Sequence, residues 1–356
     1  MIKVAILCPY PLGEAPSQRF RVEQYISWLA TQHIHATCYP FLSSSAWEIF
    51  YQSNKPLTKS LQILLGFIRR LILLVKLFSV DYVFIHREAS PVGPPVLEWL
   101  IAKVLRKRIV YDFDDAIWLP NYSKQHRFIH RLKAYWKVKF IIRWAYRVSV
   151  GNEFLASYAS RYNAHVDVIP TTIDMDYHAL SAEPNRTTVP IIGWTGTHTT
   201  VDYLKPIVPA LEKLAAIHAF EFVVISNEPP SFFIPNLRFV RWNKSTEIED
   251  LSQFSIGVMP LEDTEWARGK CGFKALQYMA LGIPTIAANV GVNSTIITHG
   301  QDGFIAKTTE DWFEYMNALL SDPSQGRMLG ANAQACIRNR FSVQANQENY
   351  RSLFTS

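Results

Sequence analysis

Short apolar runs, separated by longer helical stretches, constrain this 356-residue chain more than any other feature. Residues 3–8, 35–39, 82–86, 108–112 and 147–150 have the length and apolar content of buried strands. Helical patterns at 17–31, 57–79, 95–106 and 123–146 fill the gaps. Such alternation predicts a parallel sheet covered by helices on both faces. A polar, turn-prone stretch at 180–189 then interrupts the pattern and reads as a linker. Beyond it the pattern restarts. Strands are expected at 190–194, 220–225, 237–240, 256–259 and 284–287, and helices at 201–217, 246–253, 274–281, 309–320, 324–339 and 342–354. The expected fold class is therefore α/β, with two doubly wound, Rossmann-like domains facing a central cleft. They span 1–180 and 187–340, and a last helix at 341–356 is expected to pack back toward the first. A hydrophobic content of 49% and a charged content of 19% agree with two folded cores and exclude a disordered chain.

Compartment follows from smaller signs. Cys8, Cys38, Cys271 and Cys336 form neither a C-x-x-C pair nor a zinc spacing, and read as reduced thiols of a cytosolic protein. Residues 1–7 read as a strand and lack the features of a secretory signal. Residues 61–80 are apolar but contain Arg69, Arg70 and Lys76. A charge at the centre of a span costs about 2.5–3.5 kcal/mol. This segment is expected to be buried or interfacial and not to span a membrane.

The formal net charge of +6 is unevenly placed. No acidic residue lies between Asp115 and Glu153, whereas Lys124, Arg127, Arg131, Lys133, Lys137, Lys139, Arg143 and Arg147 all do. Aromatic residues such as Trp136, Phe140 and Trp144 are interleaved with them, and no Gly or Pro occurs from Ser123 to Val150. One long helix is expected. An anionic membrane surface, met through residues 124–147, is the expected partner; a solvated basic helix with aromatics turned inward is the alternative. Nucleic acid is not expected, because no recognised nucleic-acid-binding motif accompanies the charge.

The chemistry concentrates at 268–291, RGKCGFKALQYMALGIPTIAANVG. A loop with Gly269, Lys270 and Gly272 runs into an amphipathic helix. The start of a helix presents backbone N–H groups and a positive dipole end, and Lys270 and Lys274 add full charge, so the segment suits a diphosphate. An ordinary strand–loop–helix with solvated lysines is the plain alternative. Residues 192–198, IGWTGTH, end a strand in a glycine-containing loop, where Thr195, Gly196 and Thr197 can contact phosphate through hydroxyl and backbone groups. Residues 110–115, VYDFDD, end another strand with three carboxylates. Crowding is expected to raise one of their pKa values, making Asp114 and Asp115 candidates for binding or deprotonating a hydroxyl.

Cys271-Gly272, Leu276 to Ala280, Gly282, Pro284 and Asp302-Gly303-Phe304 resemble, in order and spacing, the donor-site signature of the group-1 (family 4) GT-B glycosyltransferases. The resemblance implies a retaining glycosyltransferase with a nucleotide-sugar donor and a glycan or lipid-linked acceptor, acting without cofactor or metal. Donor and phosphate binding is expected of Gly13, Thr195, Gly196, Thr197, Lys270, Gly272, Phe273, Lys274 and Gln277, and a catalytic role of the crowded carboxylates Asp114 and Asp115, where many family members have a histidine at about Asp114 and for which a helix N-cap is the plain alternative. Arg19, His86 and Arg87 fall on the acceptor side. Cell-surface glycan synthesis at the inner face of the cytoplasmic membrane would be the setting. One departure stands out: Gly269 and Gln277 occupy the places of two glutamates usual in the family, and Glu262, Asp263 and Glu265 are the nearby carboxylates that could substitute. A nucleotide-sugar 2-epimerase and a nucleotide-sugar-binding protein without turnover are the rival expectations.

Overall fold

The computed structural model describes residues 1–50, 55–120, 132–179 and 189–355. It forms two units, Met1–Thr171 with Asn346–Ser356, and Thr172–Ala345. The expected linker lies, apart from Val189, outside the described residues.

The first unit holds six parallel strands in the order β2-β1-β3-β4-β5-β6. They are β1 (Ile2–Cys8), β2 (Ile34–Pro40), β3 (Tyr82–His86), β4 (Arg108–Phe113), β5 (Arg147–Val150) and β6 (Val166–Val168). β3 is buried along its whole length and β4 from its second residue on, as expected of strands covered on both faces. The last helix, Val343–Thr355, contributes to this core: Tyr350 stacks on Tyr25 with ring centroids 4.0 Å apart, and Phe354 meets Tyr82 and Phe84.

The second unit holds six more parallel strands, ordered β12-β11-β10-β7-β8-β9. These are β7 (Ile191–Thr195), β8 (Glu221–Ser226), β9 (Leu237–Arg241), β10 (Ile256–Met259), β11 (Thr285–Ala288) and β12 (Phe304–Ala306). Counted from β7, this is the 3-2-1-4-5-6 order of dinucleotide-binding sheets. Close packing demands glycine at several points. A Cβ on Gly193 would sit 2.3 Å from the Phe254 ring, and one on Gly257 would sit 2.5 Å from that of Tyr278.

Three helical expectations are corrected. The stretch at 17–31 is broken into Pro16–Arg21, a 3-10 turn at Glu23–Tyr25, and Ile26–Thr31, because Val22 leaves helical geometry with φ −130°. The stretch at 201–217 starts as a 3-10 helix, Val201–Ile207, and becomes α-helical only over Val208–Ala215; Pro206 lacks the amide hydrogen that an α-helix interior requires.

The long basic helix is the third. Its residues 121–131, with Lys124, Arg127 and Arg131, lie outside the described residues. In the described part Ala134 takes φ +51°, and the α-helix covers only Lys137–Trp144. Its charges are not all offered to solvent. Lys137 is buried, 2.8 Å from the Glu88 carboxylate, and donates to the Ser90 carbonyl. Arg147 lies on β5, 3.4 Å from Asp167. Lys133 and Arg143 are exposed.

Candidate active site

In open parallel sheets a ligand sits beyond the carboxyl ends of the strands, where the strand order reverses. The reversal lies between β1 and β3 in the first unit and between β7 and β10 in the second.

In the first unit the loop after β1 is braced by Gln18 and Glu23. Gln18 accepts from the Tyr10 amide and donates to the Tyr10 carbonyl and to Glu23. Glu23 accepts from the Gly13 amide at 2.9 Å, where Gly13 takes φ +81°, a conformation that costs glycine little. Arg19 is buried, its guanidinium 4.9 Å from the Phe20 ring centroid. Arg21, the other arginine here, is also buried and bonds Asp112, Ser149 and the Ile169 carbonyl.

At the ends of β3 and β4 the carboxylates are shared among cations. Asp112, fully buried, faces Arg21 on one side and the His86 imidazole at 2.8 Å on the other; Ser149 donates to it as well, at 2.8 Å. An ionised carboxylate only accepts, so His86 donates through Nδ1. The His86 Nε2 lies 2.9 Å from the Ser17 hydroxyl. Arg87, held at φ +61°, reaches Asp114 at 2.8 Å through Nε and Asp115 at 2.7 Å through Nη2.

The expected rise in a carboxylate pKa is therefore overturned. Burial acts to raise the Asp114 carboxyl. The charges of Arg87, His86 and Arg21 and a hydrogen bond from Ser17 outweigh it and hold the group below its ordinary value. Asp112 is held low in the same way, with burial opposed chiefly by Arg21 and His86. Crowded carboxylates repel only when nothing neutralises them, and the arginines lie 91 and 27 residues away in sequence.

In the second unit the loop after β7 and the helix Phe273–Ala280 are tied together. The buried Tyr278 hydroxyl accepts from the Thr195 amide at 2.9 Å, and the Lys274 ammonium stands 5.5 Å from the Trp194 ring centroid. Lys270 is placed similarly, 5.4 Å from the ring of Trp266. Thr195 and Gly196 are half-buried and Thr197 is exposed. A Cβ on Gly196 would lie 2.4 Å from Trp194 and 2.9 Å from the Thr200 hydroxyl. The next residue, His198, exchanges hydrogen bonds with Asn227, which follows β8.

Gly272 precedes the helix at φ +70°, and a Cβ there would meet Ile296 at 2.1 Å. It supplies no side chain to cap the first-turn amides. Phe273 opens the helix, half-buried. Gln277, one turn further in, is 1% exposed, and its Nε2 is a buried donor with no acceptor among the described residues. Of the nearby carboxylates, Asp263 is engaged through both oxygens by Arg268, and Glu262 and Glu265 are exposed. A concavity lined by Met175, His178, Leu281, Gln334 and Arg338 lies at the opposite, Leu281 end of this helix, away from these loops.

The sequence reasoning missed Ser17, Gln18, Glu23 and Asn227, whose roles depend on loops that meet only in the fold. Trp194 and Tyr278 lay within the quoted motifs, but their contacts have no sequence signal.

Known proteins resemble this chain in sequence over part of its length and in fold over all of it. Residues 189–322 match the family model described as Glycosyl transferases group 1. A curated relative, glycosyltransferase 1 domain-containing protein 1 of Xenopus tropicalis, is 26% identical over 78 residues, which make up 22% of this chain and 23% of that protein. This chain thus covers less than a quarter of the curated relative's length. Sucrose-phosphate synthase from Thermosynechococcus elongatus has a similar structure, with a TM-score of 0.70 at 14% identity over 100% of both chains. The Anabaena protein HepE, in complex with UDP-glucose, gives 0.69 at 13% identity, again over 100% of both. The chain has the GT-B fold, and its residues 189–322 resemble the group-1 glycosyl transferases.

Proposed function

We propose that the protein transfers a sugar from a nucleotide-sugar donor to a glycan or lipid-linked acceptor, with retention of anomeric configuration. The observation that carries this reading is the start of the helix Phe273–Ala280. It stands where the strand order of a Rossmann-type sheet reverses, is entered through a glycine, and is flanked by Lys270 and Lys274. The helix dipole and the two lysines neutralise a leaving diphosphate. Thr195, Gly196 and Thr197 add hydroxyl and backbone contacts. Gln277 satisfies its buried Nε2 on a ribose hydroxyl. The nucleotide sugar bound by the Anabaena protein supports this donor class.

Gly13 belongs with the donor-phosphate contacts; on the acceptor side, Arg87 holds Asp114 and Asp115, which bind the incoming hydroxyl, with Arg19 and His86 buried behind them. A carboxylate held as low as Asp114 is a weak base, suited to orienting that hydroxyl by accepting its hydrogen bond. Work on cell-surface glycans at the inner face of the cytoplasmic membrane accords with the exposed Lys133 and Arg143.

A second reading, donor binding without turnover, is favoured by one observation: Gly269 and Gln277 stand at the two glutamate positions, and Asp263 is committed to Arg268. Thermal-shift binding of UDP-, GDP- and ADP-sugars, followed by nucleoside diphosphate release with and without acceptor glycolipids, decides between them. Transfer needs both binding and acceptor-dependent release. Binding without release supports the second reading, and an epimerised sugar formed without acceptor refutes both.

A further inference from the structure

The helix Pro56–Lys76 carries apolar residues on both its inner and its outer face, with basic residues between them, and each apolar face calls for a covering partner. Its inner face is covered. Gly66, Arg70 and Leu73 are buried, and Ile63 and Phe67 pack on Phe41 and its neighbours. Gly66 is held so close that a Cβ would lie 2.4 Å from the Phe41 ring. Arg70 moors the helix to the carboxyl edge of the sheet, donating to the carbonyls of Cys8, Tyr39 and Ala89.

The outer face is bare. Leu57, Leu61, Leu64, Ile68, Ile72 and Val75 recur at steps of three and four and are 86%, 52%, 56%, 43%, 61% and 72% exposed. At 100° per residue they fall within about 80° of arc, one straight stripe along the helix. Soluble surfaces scatter their exposed apolar residues, and a continuous stripe marks a docking site.

Charge identifies what covers it. No acidic residue occurs between Glu48 and Asp81, whereas Lys55, Lys59, Arg69 and Lys76 are exposed or half-buried there. Arg69 and Lys76 follow one margin of the stripe. A second copy laid on this face would oppose like charges with no carboxylate to pair them. An anionic lipid surface accepts both the stripe and its basic margin. No helix among the described residues is long and apolar enough to cross a membrane, which accords with one lying in the plane of the interface.

The helix shares its mooring with the later basic segment. Arg70 holds the carbonyl of Ala89, and Lys137, at the start of the helix Lys137–Trp144, holds that of Ser90. Both helices are moored to one loop after β3.

We propose that the outer face of Pro56–Lys76 docks the protein, in plane, on an anionic lipid bilayer. This goes beyond the reading of the donor site, since vesicle binding is measured without donor or acceptor. The experiment is flotation of the full chain with phosphatidylcholine vesicles, with and without phosphatidylglycerol. Binding is expected only with the anionic lipid. Leu64→Gln/Ile68→Gln/Ile72→Gln should lower it at least about tenfold, since each apolar group withdrawn from lipid weakens partitioning. The circular dichroism spectrum should be unchanged, because all three side chains are exposed. Arg69→Gln/Lys76→Gln provides a second variant that leaves the apolar face intact and should weaken binding to anionic vesicles. Retained binding in the triple variant, with loss in Lys133→Glu/Arg143→Glu, overturns the proposal and assigns docking to the later segment. Absence of wild-type binding, with a dimer by light scattering that the triple variant dissociates, overturns it in favour of a second copy.

Discussion

Replacing Asp112 with asparagine tests how the first unit holds its carboxylates. Asp112 is fully buried and is contacted by Arg21, His86 and Ser149. Asparagine keeps the shape but removes the charge, leaving the Arg21 guanidinium buried without its carboxylate counter-ion. Removing one partner of a buried ion pair costs about 3–5 kcal/mol, because the remaining charge stays desolvated. In a unit of this size each kcal/mol lowers the melting temperature by roughly 2–4 °C, so a fall of about 6–20 °C is expected. Arg21→Met should be destabilising for the mirror-image reason. Combining the two removes both charges, and the pair should cost about 2–3 kcal/mol less than the sum of the singles. Scanning calorimetry of all four proteins measures this. Singles within about 1 kcal/mol of wild type, or a double variant additive within about 0.5 kcal/mol, would refute the argument that this pair is a coupled buried unit.

The remaining predictions address the candidate site and acid stability. Lys270→Ala and Lys274→Ala should each lower nucleoside diphosphate release about 10²–10³-fold while leaving the melt unchanged, as expected when one charge on a leaving group is removed; near-normal rates in both would end the diphosphate assignment. Gln277→Leu removes a buried amide whose Nε2 has no acceptor among the described residues and should stabilise the unliganded protein by about 1–3 kcal/mol, while the thermal shift produced by donor shrinks; an unchanged donor shift would show that Gln277 does not touch the ligand. Asp112 and Asp114 have folded pKa values below the unfolded value of about 3.9. Their stabilisation is complete above that pH and is lost as pH falls toward the folded values. Acid titration of the melt should therefore show a loss below about pH 4 that Asp112→Asn makes shallower, and an identical slope in the variant would contradict the linkage.

Much of the fold was legible in sequence because buried strands are short apolar runs whatever surrounds them. Tyr82–His86, Arg147–Val150 and Ile256–Met259 are found at the expected bounds. The strands missed, Val166–Val168 and Phe304–Ala306, have three residues each, too few for any period to register. In the candidate site, the glycines and lysines of 268–274 were legible because a helix start after glycine has a local signature.

Local pattern alone determined that this chain makes two parallel sheets and where their strand-end loops fall, because apolar period and turn residues act over a few neighbours. Only the tertiary structure decided which charges are used up inside. The same lysine-rich stretch holds Lys137, buried beside Glu88, and Arg143, exposed, although both carry the same local signal. It also decided that Asp112 answers to Arg21 across 91 residues, and that one face of Pro56–Lys76 is covered while the other is bare. Burial and pairing depend on what the fold brings alongside a residue, and that neighbour is written elsewhere in the chain.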